Sequence, residues 1–165
     1  KQNSVNTQQQ AKPVVSITPE QQLEASIREQ VKNPGATDAS FISLELQKGD
    51  SASDKLALVK ILVTSTFSNS SFIRDTGRIS AKVFNAIYTS GLPISNAFIW
   101  YSGEVTDRYG NKKQDVVLTY SMSKEVFQKI NWSNFDSRNL CDLLKAEGRA
   151  GGLESGNNCV QLANF

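Results

Sequence analysis

The absence of histidine most restricts the chemistry available to this chain of 165 residues. Histidine is the side chain whose unperturbed pKa lies near neutrality, and it is the usual base of serine and cysteine hydrolases. Without it the chain contains no Ser-His-Asp triad, no Cys-His dyad and no imidazole ligand for zinc. Its two cysteines, with no histidine to complete a ligand set, do not predict a zinc site. We therefore expect neither a metal nor a cofactor.

Carboxylates are the remaining side chains that could support hydrolysis. Glu45, Asp54, Glu104 and Asp115 would have to supply a general acid and a general base at one site. Their spacing does not indicate a common site, and ordinary solvated charges explain them. We therefore expect no catalytic residues and no enzymatic activity.

Two groups of side chains are candidates for ligand binding. Aromatic residues in two predicted strands could form a binding surface on the open face of a sheet, although core or cross-strand packing also explains Trp100. Polar residues gather at a predicted hairpin turn, where glycine and asparagine are favoured because they tolerate positive φ. The candidate binding residues are Trp100, Tyr101, Asp107, Tyr109, Asn111 and Tyr120, with Arg108 and Asp115 adjoining the turn.

The two cysteines, Cys141 and Cys159, are predicted to form an intramolecular disulfide. Cys141 lies on the last predicted helix, beside the apolar positions Leu140 and Leu144, and Cys159 lies eighteen positions later in a loose tail. A bridge would attach the tail to the domain, and disulfides persist in oxidising compartments outside the cytosol. The alternative is a pair of unrelated reduced thiols, which a cytosolic location would favour.

Hydrophobic periodicity predicts the elements that position these residues. Thr18 and Gln21 can form a capping box, so an amphipathic helix is predicted over residues 19–32. Alternation near residue 44 and an apolar run over 56–64 predict a hairpin whose second strand is central. A long helix carrying Val83 on its buried face follows. Gly77 within it implies either a closely packed neighbour or a later helix start.

A second hairpin and short helices complete one α+β domain over residues 17–165. Strand pairs separated by a long helix favour a four-stranded antiparallel sheet in a ββ-α-ββ layout, with helices on one face and at both termini. Residues 1–16 are predicted to be a flexible linker, because their polar composition cannot form a core. Residues 147–165 are predicted to be a tail rich in glycine and asparagine.

Charge and hydropathy restrict the partners and the location. A net charge of +2 provides no polybasic face for nucleic acid. The longest apolar runs are far shorter than the ~20 residues of a membrane span.

Because the chain opens with a Gln/Asn-rich stretch and no methionine, we expect a signal peptide, a lipoprotein signal or an anchor to have preceded it. A domain taken from a larger cytosolic chain is the alternative.

Two motifs resemble a known family. Asp107-Arg108-Tyr109-Gly110-Asn111 is followed, after a strand, by Lys129-Ile130-Asn131-Trp132 and Asn134-Phe135. Over the segment 72–146 the chain resembles an uncharacterised domain of secreted or lipid-anchored bacterial proteins and some mobile-element products, in which a D-x-Y-G hairpin precedes a K-I-N-W turn. The resemblance implies an extracytoplasmic α+β module with no assigned activity and no known catalytic residues.

We therefore expect a non-enzymatic extracytoplasmic module, secreted or membrane-anchored, that binds a protein or a small ligand at the cell envelope. The membrane would be contacted only through an N-terminal anchor. One alternative is an assembly subunit of an envelope or conjugation apparatus, which requires an unusually large exposed apolar patch. The other is a carboxylate-dependent hydrolase, which requires a concave site with convergent carboxylates.

Overall fold

The computed structural model describes residues 16–32, 38–49, 51–65, 69–106, 109–150 and 159–161. The α+β class is confirmed. Most of the predicted linker and much of the predicted tail lie outside the described residues. No described helix combines the length and the apolar character needed to cross a membrane. The elements are α1 (Pro19–Val31), β1 (Asp38–Lys48), β2 (Lys55–Ser65), α2 (Asn69–Thr89), β3 (Ile94–Thr106), β4 (Lys112–Ser123), α3 (Lys124–Lys129), a 3₁₀ turn (Ser137–Asn139), α4 (Leu140–Ala150) and β5 (Cys159–Gln161).

The strands form one mixed sheet in the order β1-β2-β3-β4-β5. The β1/β2 and β3/β4 pairs are antiparallel hairpins, as predicted, whereas β2 and β3 are parallel. The prediction of a purely antiparallel sheet is therefore wrong. Helix α2 returns the chain to the end of the sheet where β2 began, so β3 runs in the same direction as β2. The ββ-α-ββ layout is also inexact, because β5 adds a short antiparallel strand beside β4.

Helix α1 begins at the predicted capping box. The Thr18 Oγ1 accepts a hydrogen bond from the Gln21 backbone N–H at 3.2 Å, and the Gln21 Oε1 accepts one from the Thr18 N–H at 2.9 Å. Pro19 occupies the first turn, where its missing N–H costs no intrahelical bond. The buried face of α1 consists of Leu23, Ile27 and Val31, as the periodicity predicted.

The core lies between the helices and one face of the sheet. Alternate residues of β2 and β3 point into it and are fully buried, and the apolar face of α2 covers them. The prediction that Val83 is buried and that β2 is a central strand is confirmed. The main contributors from these three elements are Ala57, Val59, Ile61, Ala97, Ile99, Ile79, Val83 and Ile87.

Gly77 marks a close contact between α2 and the segment that precedes α4. Helix α2 starts at Asn69, well before Gly77, so the closely packed neighbour accounts for this glycine. A Cβ atom at position 77 would lie 2.7 Å from the backbone carbonyl oxygen of Ser137. A backbone atom cannot move aside as a flexible side chain can, so only glycine allows this approach.

Replacing Gly77 with alanine is expected to lower the free energy of unfolding by about 1–3 kcal/mol through overpacking. This cost exceeds the gain of up to about 1 kcal/mol from the higher helix propensity of alanine. Urea denaturation followed by circular dichroism measures the change. The control is Asn85→Ala, at an exposed position of the same helix, where a change within about 0.5 kcal/mol is expected. Unchanged stability of Gly77→Ala would contradict the contact.

Candidate functional site

The sheet face opposite the core bears a strip of apolar side chains, which we call the open-face strip. Its members alternate with the buried residues of β2 and β3 and do not belong to the core cluster. Phe98 and Trp100 are each 37% exposed, whereas Ala97 and Ile99 between them are fully buried. No described helix covers this face. The strip consists of Leu56, Leu58 and Leu62 of β2 and Phe98 and Trp100 of β3.

A charged pair crosses the open-face strip. Lys60, on β2 between Leu58 and Leu62, donates a hydrogen bond from its Nζ to the Glu45 Oε1 at 2.6 Å. The same Nζ lies 5.9 Å from the centroid of the Trp100 ring, within reach of a cation–π interaction. Exposed pairs of this kind contribute only about 0–1 kcal/mol to stability. The main effect of this pair is therefore to hold the Lys60 cation beside the exposed tryptophan.

Tyr101 and Tyr120 do not join Trp100 on this face. Both tyrosines are fully buried on the core side, where their rings meet edge to face at 5.9 Å. The Tyr101 hydroxyl lies 2.8 Å from the Ser80 Oγ, and the Tyr120 hydroxyl lies 3.1 Å from the Thr76 Oγ1. These hydrogen bonds attach α2 to the sheet. The predicted surface of three aromatic residues is therefore not formed, and of its members only Trp100 is available to a ligand.

The buried tyrosine hydroxyls stay protonated at neutral pH. Burial raises the pKa of Tyr101 well above its ordinary value, although the hydrogen bond with Ser80 opposes this effect. Burial likewise raises the pKa of Tyr120, against the lowering effect of Thr76. Both hydroxyls therefore remain protonated and serve as structural hydrogen-bonding groups.

The described part of the turn between β3 and β4 presents one exposed ring. Tyr109 is 75% exposed and Asn111 is exposed, while Asp107 and Arg108 lie outside the described residues. Gly110 has a φ of 86°, in the left-handed region that favours glycine. Turn geometry thus accounts for this glycine without a ligand.

The four candidate carboxylates do not converge. Glu45 pairs with Lys60, Glu104 pairs with Lys112 at 2.7 Å, and Asp115 pairs with Lys113 at 2.6 Å. Glu104 and Asp115 occupy adjacent register positions of β3 and β4, so their side chains leave the sheet on opposite faces. Asp54 lies in the β1–β2 turn.

The environment of Asp115 is also unsuited to general-acid catalysis. The hydrogen bond from Lys113, followed by that from the Val116 backbone N–H, lowers the pKa of Asp115. A general acid needs a raised pKa. Among the described residues, no group of three histidine, cysteine or acidic side chains is placed to hold a metal ion. The site geometry therefore does not support the hydrolase alternative.

A groove of about 670 Å³ lies on the helical side of the molecule. Helix α2 contacts both α1 and the 3₁₀ turn, so it forms the floor, while α1 and the segment 132–137 form the walls. Sequence analysis did not identify this groove, although the spacing of Arg78 and Lys82 places two cations on one face of α2. The α2 residues that line it at successive turns are Arg78, Lys82, Asn85 and Thr89.

Trp132, the last residue of the K-I-N-W motif, forms part of one wall of this groove. The Trp132 Nε1 donates a hydrogen bond to the Phe127 carbonyl oxygen at 3.1 Å, and the two rings lie 5.0 Å apart. Phe135 packs edge to face on Trp132 at 5.8 Å. The motif thus ends in a packed turn after α3, and its tryptophan lines the groove together with Phe135.

The predicted disulfide involves one cysteine, Cys159, whose side chain lies outside the part of the chain that the structure describes. Cys141 is 2% exposed on α4, and no cysteine among the described residues is a free thiol. Cys159 begins β5, at the register position opposite Tyr120, but its side chain is not described. The bridge between Cys141 and Cys159 stays a prediction.

The chain has no significant match among protein-family models, curated proteins or solved structures. The resemblance based on the hairpin and the K-I-N-W turn therefore stays a prediction.

Proposed function

We propose that this domain is a non-enzymatic binding module, exported to the cell envelope or the secreted space, that docks a partner protein through the open-face strip. The observation that supports this most directly is the exposure of Phe98 and Trp100, at 37% each, on a sheet face that no described helix covers. Tryptophan is enriched among the residues that dominate protein interfaces. Neighbouring leucines extend the apolar area around it.

The shape and the rim of the strip favour a protein partner over a small ligand. Small-molecule sites are concave and bury most of the ligand surface. The strip instead lies on a pleated sheet face, with Lys60 among its apolar side chains and Glu45, on the neighbouring strand β1, at its rim. An apolar centre with a polar rim is the usual arrangement of a protein interface.

Two further observations support the rest of the proposal. The candidate carboxylates are dispersed, and three of them are paired with lysines, which favours binding over catalysis. Cys141 is buried on α4, and its predicted bridge to Cys159 would persist in an oxidising compartment.

An assembly subunit of an envelope apparatus is the second candidate, and the open-face strip supports it as well. In that case the partner of the strip would be another copy of this chain, packed face to face about a two-fold axis. The identity of the molecule that contacts Phe98 therefore distinguishes the two candidates.

The test is photo-crosslinking from the sheet face in cells that export the protein. A photoreactive phenylalanine analogue replaces Phe98 in one variant and Tyr109, at the hairpin tip, in the matched control. We expect one discrete adduct from position 98, identified by mass spectrometry as a different protein, and none from position 109. Adding Trp100→Ser to the first variant should abolish the adduct while the thermal unfolding midpoint stays within a few degrees of the parent.

Three outcomes would count against the proposed docking face. Absence of an adduct from position 98 would reject the open-face strip as an interface. The same adduct from position 109 would assign the interaction to the hairpin. An adduct of the chain with itself would replace the binding module by the assembly subunit.

A further inference from the structure

A second surface, on the helical side, indicates a binding activity separate from that of the open-face strip. We infer that the groove over α2 binds a short acidic segment of a partner protein in extended form. The groove shares no lining residue with the strip, so the two proposals can fail independently.

The dimensions of the groove fit an extended peptide. Its α2 floor runs from Arg78 to Thr89, a length of about 16 Å at the helical rise of 1.5 Å per residue. A strand rises about 3.3 Å per residue, so about five residues would follow this floor. The volume of about 670 Å³ lies within the range of about 300–1,000 Å³ that is usual for ligand sites.

The ionisable residues that line the groove are both cations. Lys82 has no ion-pair partner within the part of the chain that the structure describes. Arg78 is 48% exposed and makes a long contact of 3.5 Å with Asp75, which lies beneath it at 5% exposure. No carboxylate lines the groove. The charge of its surface therefore favours an acidic ligand.

The Asp136 carboxylate, which also lies outside the lining, is hydrogen-bonded to Arg138. Both oxygens of the Asp136 carboxylate accept hydrogen bonds from the Arg138 guanidinium, at 2.8 and 2.9 Å from its Nε. These bonds, with the Arg138 backbone N–H and the nearby Arg78 charge, lower the pKa of Asp136 to about 2. Asp136 is thus already engaged by its own arginine.

The types of side chain along the groove change from one end to the other, which favours a peptide ligand over a small ion. Ser137 lies beside Gly77, at the cationic end of the groove. Trp132 lies toward the other end of α2, because it contacts Phe127, and Phe127 packs against Tyr88. Acidic groups would therefore be bound at one end and an aromatic or apolar group at the other. Amide side chains between the ends, from Asn85 and Gln30, can bond the peptide backbone.

The test uses two peptides with blocked termini, Glu-Glu-Ala-Ala-Phe and its counterpart Lys-Lys-Ala-Ala-Phe. Isothermal titration calorimetry on the full chain measures their dissociation constants. We expect the acidic peptide to bind. Its affinity should fall as salt is added, because salt screens the attraction between exposed charges. The basic peptide should not bind.

Three variants locate the site. Lys82→Glu is expected to weaken binding of the acidic peptide about ten-fold by replacing attraction with repulsion. Lys48→Glu makes the same charge change at an exposed position on β1 outside the groove, so it should have little effect. Asn85→Trp should block the floor without a change of charge. Equal affinity for both peptides would overturn the inference. An equal loss of affinity in Lys82→Glu and Lys48→Glu, or full affinity in Asn85→Trp, would also overturn it.

Discussion

Replacing Val83 with aspartate is expected to unfold the domain at ambient temperature. Val83 is fully buried on the face of α2 that packs against the sheet. The polar or charged residues buried in the described core are Asp75, Thr76 and Ser80, so no buried cation is available to pair with a new carboxylate. Burying an unpaired charge costs several kcal/mol, and total stabilities of single domains are only about 5–15 kcal/mol.

Circular dichroism and urea denaturation provide the measurement. The matched control is Asn85→Asp, which introduces the same side chain two positions further along α2 at an exposed site. We expect a cooperative transition close to that of the parent for this control and none for Val83→Asp. A parent-like urea midpoint for Val83→Asp would show that α2 does not pack as described.

Removal of the proposed Cys141–Cys159 disulfide is the second change with a large expected effect. In the loop-entropy model, a bridge that closes a loop of about 18 residues stabilises the folded state by roughly 3 kcal/mol. Cys141 is buried on α4, and β5 places the backbone of Cys159 against β4. The bridge would therefore hold β5 at the edge of the sheet.

Intact-mass measurement with and without reductant tests the bridge directly. Protein exported under oxidising conditions should gain the mass of two hydrogen atoms on reduction. Cys141→Ala, Cys159→Ala and the double variant should then lose similar amounts of stability, because either single change already removes the whole bridge. Two free thiols in the exported protein, or additive losses, would refute the bridge and remove a main support for the extracytoplasmic location.

Local patterns predicted the elements but not the direction of the central strand pair. The α1 helix followed from Thr18, Gln21 and the spacing of Leu23 and Ile27, all within one short segment. The parallel β2/β3 pairing depends on where α2 returns the chain, and no turn sequence encodes this. One signal was present: residues 56–64 are apolar at nearly every position, as in strands of parallel sheets.

The candidate site was predicted less completely, for two physical reasons. Trp100 and Tyr101 are neighbours in a strand, so their side chains must leave opposite faces, and a single surface could not include both. The groove combines residues of α1, α2 and the segment 132–137, which are distant in sequence and meet only through packing. The hydrophobic periodicity of one element does not predict which other elements it packs against.

The crossover through α2 also determines when the open-face strip can form during folding. Each hairpin joins strands that are close in sequence and can form in microseconds. The β2/β3 seam spans the whole of α2, and contacts between distant segments form more slowly because a longer loop must close. Leu58 and Phe98 lie on opposite sides of this seam. The open-face strip is therefore complete only once the β2/β3 seam has formed, and a half-folded chain without that seam would not yet present it.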